Sequence, residues 1–198
     1  MRKTRVFIVL AIIGCLGLAG PVMAQKAVPE KMKPALLVID MQNAFLPNMS
    51  EQDKKTAFDY INGAISRFRE KGFPVIRVYH TDPAYGPKPG SKEFEYPPTV
   101  IVRKDDPQII KTYGNAFNKT GLEKLLRDKG CNVLFLCGLS ASGCVLATYQ
   151  GAQNLDFDVF LIREALISPD SATTRFIADL CETLSYSALK MILKYSQN

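Results

Sequence analysis

The chain has 198 residues, 47% of them hydrophobic, and carries 25 Lys and Arg against 19 Asp and Glu. That is long enough for one domain with a sizeable core and too short for two ordinary ones. A formal charge of +6 is too slight to point to nucleic acid, and one histidine beside five irregularly spaced cysteines fits no zinc motif.

Residues 1–5 form a basic n-region, Val6 to Gly20 an apolar h-region, and Val22-Met-Ala24 ends on the small residues that a signal peptidase reads. The sequence therefore predicts a leader over 1–24 and an exported protein, periplasmic or secreted. The apolar run is short of the ~18 to 20 residues needed to span a bilayer, so no membrane span is expected after cleavage. Ile12-Ile-Gly-Cys15 offers lipidation at Cys15 as the second reading. Removing Arg2, Lys3 and Arg5 leaves 22 bases against 19 acids, a charge of +3. Four cysteines remain, and an even set in an oxidising compartment invites a disulfide reading. Cys131 and Cys137, however, bracket one strand and at ~3.3 Å per residue lie too far apart to bond.

Gln25 to Lys33 is a polar linker. Ala35 to Ile39 is a short apolar run without alternation, the pattern of a strand buried on both faces of a parallel sheet, and it ends on Asp40. Ser50-Glu-Gln-Asp53 predicts the cap of a helix running to about Lys71, with Phe58, Ile61, Ile65 and Phe68 on one stripe and Gly72 as its stop. Pro74 to Tyr79 reads as a second strand. His80 to Pro98 is a long loop rich in Pro, Gly and Tyr, a length that tends to be functional or mobile. Thr99 to Val102 reads as a third strand, followed by a loop with Lys104 and Lys111 and a helix from Leu122 to Lys129. Val133 to Cys137 is a buried strand, Val145 to Asn154 a helix, and Asp158 to Ile162 a fifth strand. Ser171 to Leu184 and Ser187 to Tyr195 read as helices. Strands alternating with helices predict an α/β doubly wound, Rossmann-like three-layer fold with a mostly parallel sheet of five or six strands.

Ligands in such sheets bind at the carboxyl ends of the strands, where the winding reverses. Asp40 and Cys144 both stand at carboxyl ends, and a strand order 3-2-1-4-5 makes their strands neighbours. Cys144 falls in the first turn of a helix, where unpaired N–H groups and the helix dipole favour a thiolate. A thiol that attacks a carbonyl needs support for its charge, a carrier for its proton, and donors for the oxyanion. Asp40 can carry the proton, and a lysine can steady both groups. Residue chemistry alone leaves Lys104 and Lys111 open.

Val38-Ile-Asp40-Met-Gln-Asn-Ala-Phe45, Lys111-Thr-Tyr-Gly-Asn-Ala-Phe117 and Gly138-Leu-Ser-Ala-Ser-Gly-Cys144-Val occur in that order. Together they resemble the isochorismatase-like cysteine hydrolases, the superfamily of nicotinamidases and N-carbamoylsarcosine amidases, over about Pro34 to Ile192. The resemblance implies one hydrolase domain over 25–198 with an Asp-Lys-Cys triad at Asp40, Lys111 and Cys144. It further implies a cis peptide at Leu139-Ser140 and an oxyanion hole made by the N–H groups of Ser140 and Cys144. Nicotinamidases of this superfamily hold a metal with an aspartate and several histidines after the second strand. Here only His80-Thr-Asp82 stands there, so neither a metal nor another cofactor is expected. Glu164-Ala165 stands where many members have Asp-Ala, and a last strand after Ser185 is hard to find.

Each singled-out residue also has a plain structural reading. His80 at a strand end reads first as a satisfied histidine and second as a substrate contact. Asp40 without the family pattern would cap a loop, and Lys111 would be a solvated surface residue. Tyr79, Tyr85, Phe94 and Tyr96 are pocket wall or packing, and Phe45 and Phe117 are substrate-wall candidates or core. The expected activity is cleavage of an amide-type C–N bond in a small molecule through a thioester. Alternatives are hydrolysis of an isochorismate-like vinyl ether, which needs no thiol, a binding protein on the same fold, and a Cys137–Cys144 redox pair. The expected partners are a small-molecule substrate and a second copy of the chain in a homo-oligomer.

Overall fold

The computed structural model describes residues 31–196; the leader and most of the polar linker lie outside them. β1 (Pro34–Ile39), β2 (Val75–His80), β3 (Gln108–Lys111), β4 (Val133–Leu139), β5 (Asp158–Ile167) and β6 (Thr183–Leu184) form one sheet in the order β3-β2-β1-β4-β5-β6. Every pairing is parallel. The chain winds outward in one direction through β1, β2 and β3, then reverses through β4, β5 and β6. The expected three-layer α/β fold is thus present with six strands, and the reversal falls between β1 and β4.

Unalternating apolar strands need a core on each side, and two exist. Leu36, Val38, Phe135 and Cys137 face one core with α1 (Glu51–Glu70) and α5 (Tyr186–Tyr195). Ala35, Leu37, Ile39, Leu134 and Leu136 face the other, with α2 (Leu122–Asp128), α3 (Leu146–Gln153) and α4 (Ser171–Leu180). The α1 stripe behaves as its spacing predicts: Ile61, Ile65 and Phe68 are buried and Phe58 packs at the margin. Ser50 caps the helix, its Oγ accepting from Asp53 N at 3.1 Å. No described helix is long and apolar enough to cross a membrane.

The third strand is not Thr99 to Val102. That stretch is bonded to α1 side chains: Asn62 Nδ2 donates to Thr99 O at 2.7 Å, Asn62 Oδ1 accepts from Ile101 N at 3.0 Å, and Arg69 Nη1 donates to Ile101 O at 2.7 Å. With its backbone groups satisfied there, it does not join the ladder. Gln108–Lys111 takes the place, pairing His80 with Lys111, so Lys111 ends a strand and does not ride a loop. The sixth strand, sought after Ser185, lies before it as the two residues Thr183 and Leu184, which cut the expected helix from Ser171 back to Leu180. β5 runs on to Ile167 rather than Ile162.

Candidate active site

The register sets Ile39 beside Gly138, so the chain leaves β1 and β4 side by side. Gly138 has φ +112°, and a Cβ there would lie 2.1 Å from Ile39 O, so only glycine lets the strands close at this point. Asp40 follows with φ 51°, a left-handed conformation that aspartate tolerates better than most residues, and its N–H donates to Val78 O at 2.9 Å. After β4 the Leu139-Ser140 peptide is cis. A turn over Ala141–Val145, kinked at Gly143, then carries Cys144 into α3.

Three strand ends deliver the triad residues to one point. Lys111 Nζ, on a residue only 1% exposed, lies 2.7 Å from Asp40 Oδ2, a fully enclosed ion pair. Cys144 Sγ, a carboxylate oxygen of Asp40 and a ring nitrogen of His80 all lie within 4.8 Å of one another. Asp40 Oδ1 is buried and accepts no conventional hydrogen bond, so this oxygen is the one left for the thiol side. Lys104 has no place here: its carbonyl accepts from Arg77 Nη2 at 3.1 Å, away from the cluster.

The electrostatics correct one expectation. Burial and then the Asp40 carboxylate push the Cys144 thiol up to about 11, with Lys111 pulling the other way. Burial and the neighbouring carboxylate both favour the neutral thiol, in opposition to the helix terminus. Asp40 is itself raised by burial, held down in part by Lys111, which makes it a stronger base than an exposed aspartate. The arrangement is therefore a thiol with an adjacent base that can take its proton as sulfur attacks.

Asp40, His80 and Cys144 carry donor types that suit a metal. The Lys111 ammonium, 2.7 Å from Asp40 and 3.2 Å from His80 Nδ1, already supplies the positive charge and would repel a second cation. Of the wall candidates, Phe45 lies beside the site with its ring 6.2 Å from that of His80. Phe117 goes elsewhere: it stacks on Phe157, at 5.9 Å, at the amino end of β5 and opposite the cleft. Tyr79 packs on Phe94 at 4.9 Å and on Tyr96 at 4.4 Å, and all three are buried, whereas Tyr85 is exposed. Glu164 serves the fold, its Oε2 accepting from Tyr186 N at 2.8 Å. All four described cysteines are free thiols, and burial raises Cys137, which is fully enclosed; this leaves no Cys137–Cys144 redox pair.

Sequence reading missed the residues that brace this centre. Gln42, fully buried, grips the His80 backbone from both sides, accepting from its N–H at 2.7 Å and donating to its C=O at 3.0 Å. Ser168 Oγ lies 2.9 Å from Ser140 Oγ and ties the turn after β4 to the end of β5. Thr148 Oγ1 accepts from Ala116 N at 3.0 Å, and a Cβ on Gly151 would come within 2.3 Å of Asn115, so α3 fixes the stretch after Lys111. A buried-type glycine one turn after a threonine in α3 is the one signal that pointed there.

The isochorismatase domain family matches residues 34–182. The uncharacterized isochorismatase family protein YrdC of Bacillus subtilis is 32% identical over 140 residues, 67% of this chain and 73% of that protein. Maleamate amidohydrolase of Pseudomonas putida is 26% identical over 156 residues, 68% of this chain and 72% of the enzyme. An isochorismatase-type structure from Burkholderia xenovorans superposes with a TM-score of 0.74 at 22% identity, covering 85% of this chain and 90% of the other. With the family's domain spanning β1 to β5 and every residue of the cluster, the chain belongs to the isochorismatase family of hydrolases.

Proposed function

We propose that the protein is an exported cysteine hydrolase that cleaves the C–N bond of a small amide. The observation that carries this reading is the enclosed Asp40–Lys111 ion pair with the Cys144 sulfur within 4.8 Å of an Asp40 carboxylate oxygen. Asp40 takes the Cys144 proton while sulfur attacks the amide carbon. Lys111 keeps Asp40 ionised until then and steadies the charge that develops. The N–H groups of Ser140 and Cys144 stabilise the oxyanion. Asp40 then returns its proton to the departing amine or ammonia, and water hydrolyses the thioester with Asp40 again as base. The name of the Pseudomonas relative, an amidohydrolase, agrees with a C–N bond as target. The apolar leader ending at Ala24 supports export, and the remainder of the chain, 25–198, acts as one domain.

The test is ammonia release from a panel of small amides by the wild type, Cys144→Ala and Cys144→Ser, with mass spectrometry for a substrate-derived adduct on Cys144. Loss of at least about 10⁴-fold in both variants is expected. Ammonia release that persists without the thiol would overturn covalent catalysis by Cys144, and a wild type that releases ammonia from no amide would favour vinyl ether hydrolysis instead.

A further inference from the structure

His80 touches the ion pair at its lysine, with Nδ1 3.2 Å from Lys111 Nζ and a ring nitrogen within 4.8 Å of an Asp40 carboxylate oxygen. An ammonium has three N–H donors and no lone pair. Nδ1 must therefore accept, which leaves the ring neutral with its proton on Nε2. The backbone of His80 is held by Gln42 independently of the ring, and the Phe45 ring bounds the imidazole. So much fixing of one ring is more than a spectator at a strand end requires.

We infer that His80 is a positioning residue of this hydrolase, its Nδ1 holding one N–H of Lys111 so that another stays aimed at Asp40. It acts on the chemistry only through Lys111, so the inference rests on the Asp40–Lys111–Cys144 reading given above. Without an acceptor there, a buried N–H of Lys111 is left unpaired, and only the contact with Asp40 remains to orient the ammonium.

The inference also fixes which form of the histidine works. Four groups face His80: the Lys111 ammonium at the end of β3, the Asp40 carboxylate after β1, the Cys144 thiol in the turn before α3, and Asp82 in the loop after β2. Burial and the Lys111 charge lower its pKa, and the two carboxylates oppose them. Once protonated, Nδ1 no longer accepts and two cations face each other. Activity is therefore full above this lowered pKa and falls as pH drops through it.

The test compares wild type, His80→Asn and His80→Leu. The Asn Oδ1 reaches the place of Nδ1 and accepts without titrating; Leu fills space and accepts nothing. One measurement is the rate of Cys144 alkylation by iodoacetamide, located by mass spectrometry, which needs no substrate. The other is kcat and KM for ammonia release, each between about pH 5 and 8. His80→Leu should slow alkylation and kcat by about 10- to 100-fold with KM nearly unchanged, and His80→Asn should stay within about threefold while keeping only the acid limb set by Asp40. His80→Leu alkylating like the wild type, or His80→Asn failing as badly as His80→Leu, overturns the inference. Alkylation that follows His80 as stated in a protein that turns over no amide upholds it, and the amide reading alone then falls.

Discussion

Asp40 and Cys144 follow strands in which every residue of 34–39 and 133–139 is buried, and Lys111, itself buried, ends β3, whereas Tyr85, in the segment after β2, is 97% exposed. The centre is held by groups that cannot move singly: a parallel ladder, an enclosed ion pair, and a glycine pressed against a carbonyl. The segment after β2 is packed most firmly at its far end, where Phe94 and Tyr96 stack on Tyr79 and the Tyr96 hydroxyl lies 2.8 Å from Val38 O and 2.6 Å from Val78 O. Its outer half is surface. The contrast teaches how the fold divides labour: the groups proposed to break the bond are locked to the sheet, and a loop free to vary stands beside them.

The contrast breaks most sharply at the ion pair. Lys111→Met leaves the buried Asp40 charge uncompensated and should cost about 3–5 kcal/mol in urea denaturation at neutral pH. Asp40 already has its folded pKa raised above the unfolded one, and losing Lys111 raises it further. A group raised in the folded state favours folding at low pH, and that contribution is lost as pH rises through the folded pKa. The deficit of Lys111→Met should therefore be smallest near pH 4 to 5 and grow toward pH 8. Adding Asp40→Leu should recover part of it, a coupling of at least about 1 kcal/mol in a double-mutant cycle. A deficit independent of pH would mean that lost packing, not charge, dominates.

Next comes the seam between β1 and β4. Gly138→Ala puts a Cβ against Ile39 O in a left-handed backbone, and about 2 kcal/mol or more of stability should go. Because the clash is relieved only by parting the two strands, Asp40 and Cys144 separate as well. Activity should fall even at temperatures where the variant is fully folded, which circular dichroism and ammonia release measured side by side would reveal.

How much of this was legible in the sequence depends on how each piece earns its place. β1 and β4 announced themselves because a strand buried on both faces has no polar residue to break the run. β3 did not: Gln108–Lys111 alternates exposed and buried, spans four residues and ends on a charge, so it looks like loop next to the more strand-like Thr99–Val102. Asn62 and Arg69, far back on α1, decide between the two stretches, and no local pattern carries that. Asp40, Lys111 and Cys144 were readable as a set only through the family resemblance. The pairing of His80 with Lys111 was not readable at all, since it follows from β2 and β3 ending together. What bears on the thiol's charge was only half legible, because a helix terminus is visible in a sequence and a carboxylate folded against it is not.

Within the segment after β2 the anchored end should respond modestly. Tyr96→Phe removes one hydroxyl donor, while Val38 O and Val78 O keep positions in or beside the ladder, so about 1 kcal/mol of stability should be lost. The aromatic stack on Tyr79 survives the change, and kcat should stay within a few-fold. A large fall in kcat would move this residue from the anchor to the working centre.

Tyr85→Ala is the smallest change and the sharpest probe of the division. The side chain is almost wholly in water, so removing it should alter stability by less than about 0.5 kcal/mol. Its backbone turn is held by other atoms, Asp82 Oδ1 accepting from Ala84 N at 2.7 Å and from Tyr85 N at 3.0 Å, so the loop keeps its shape. If this outer half meets substrate, the variant raises KM and leaves kcat alone, the sign of binding shared equally by ground and transition states. A fall in kcat with KM unchanged would instead mean that the exposed half takes part in the transition state, and the division between locked centre and variable loop would fail.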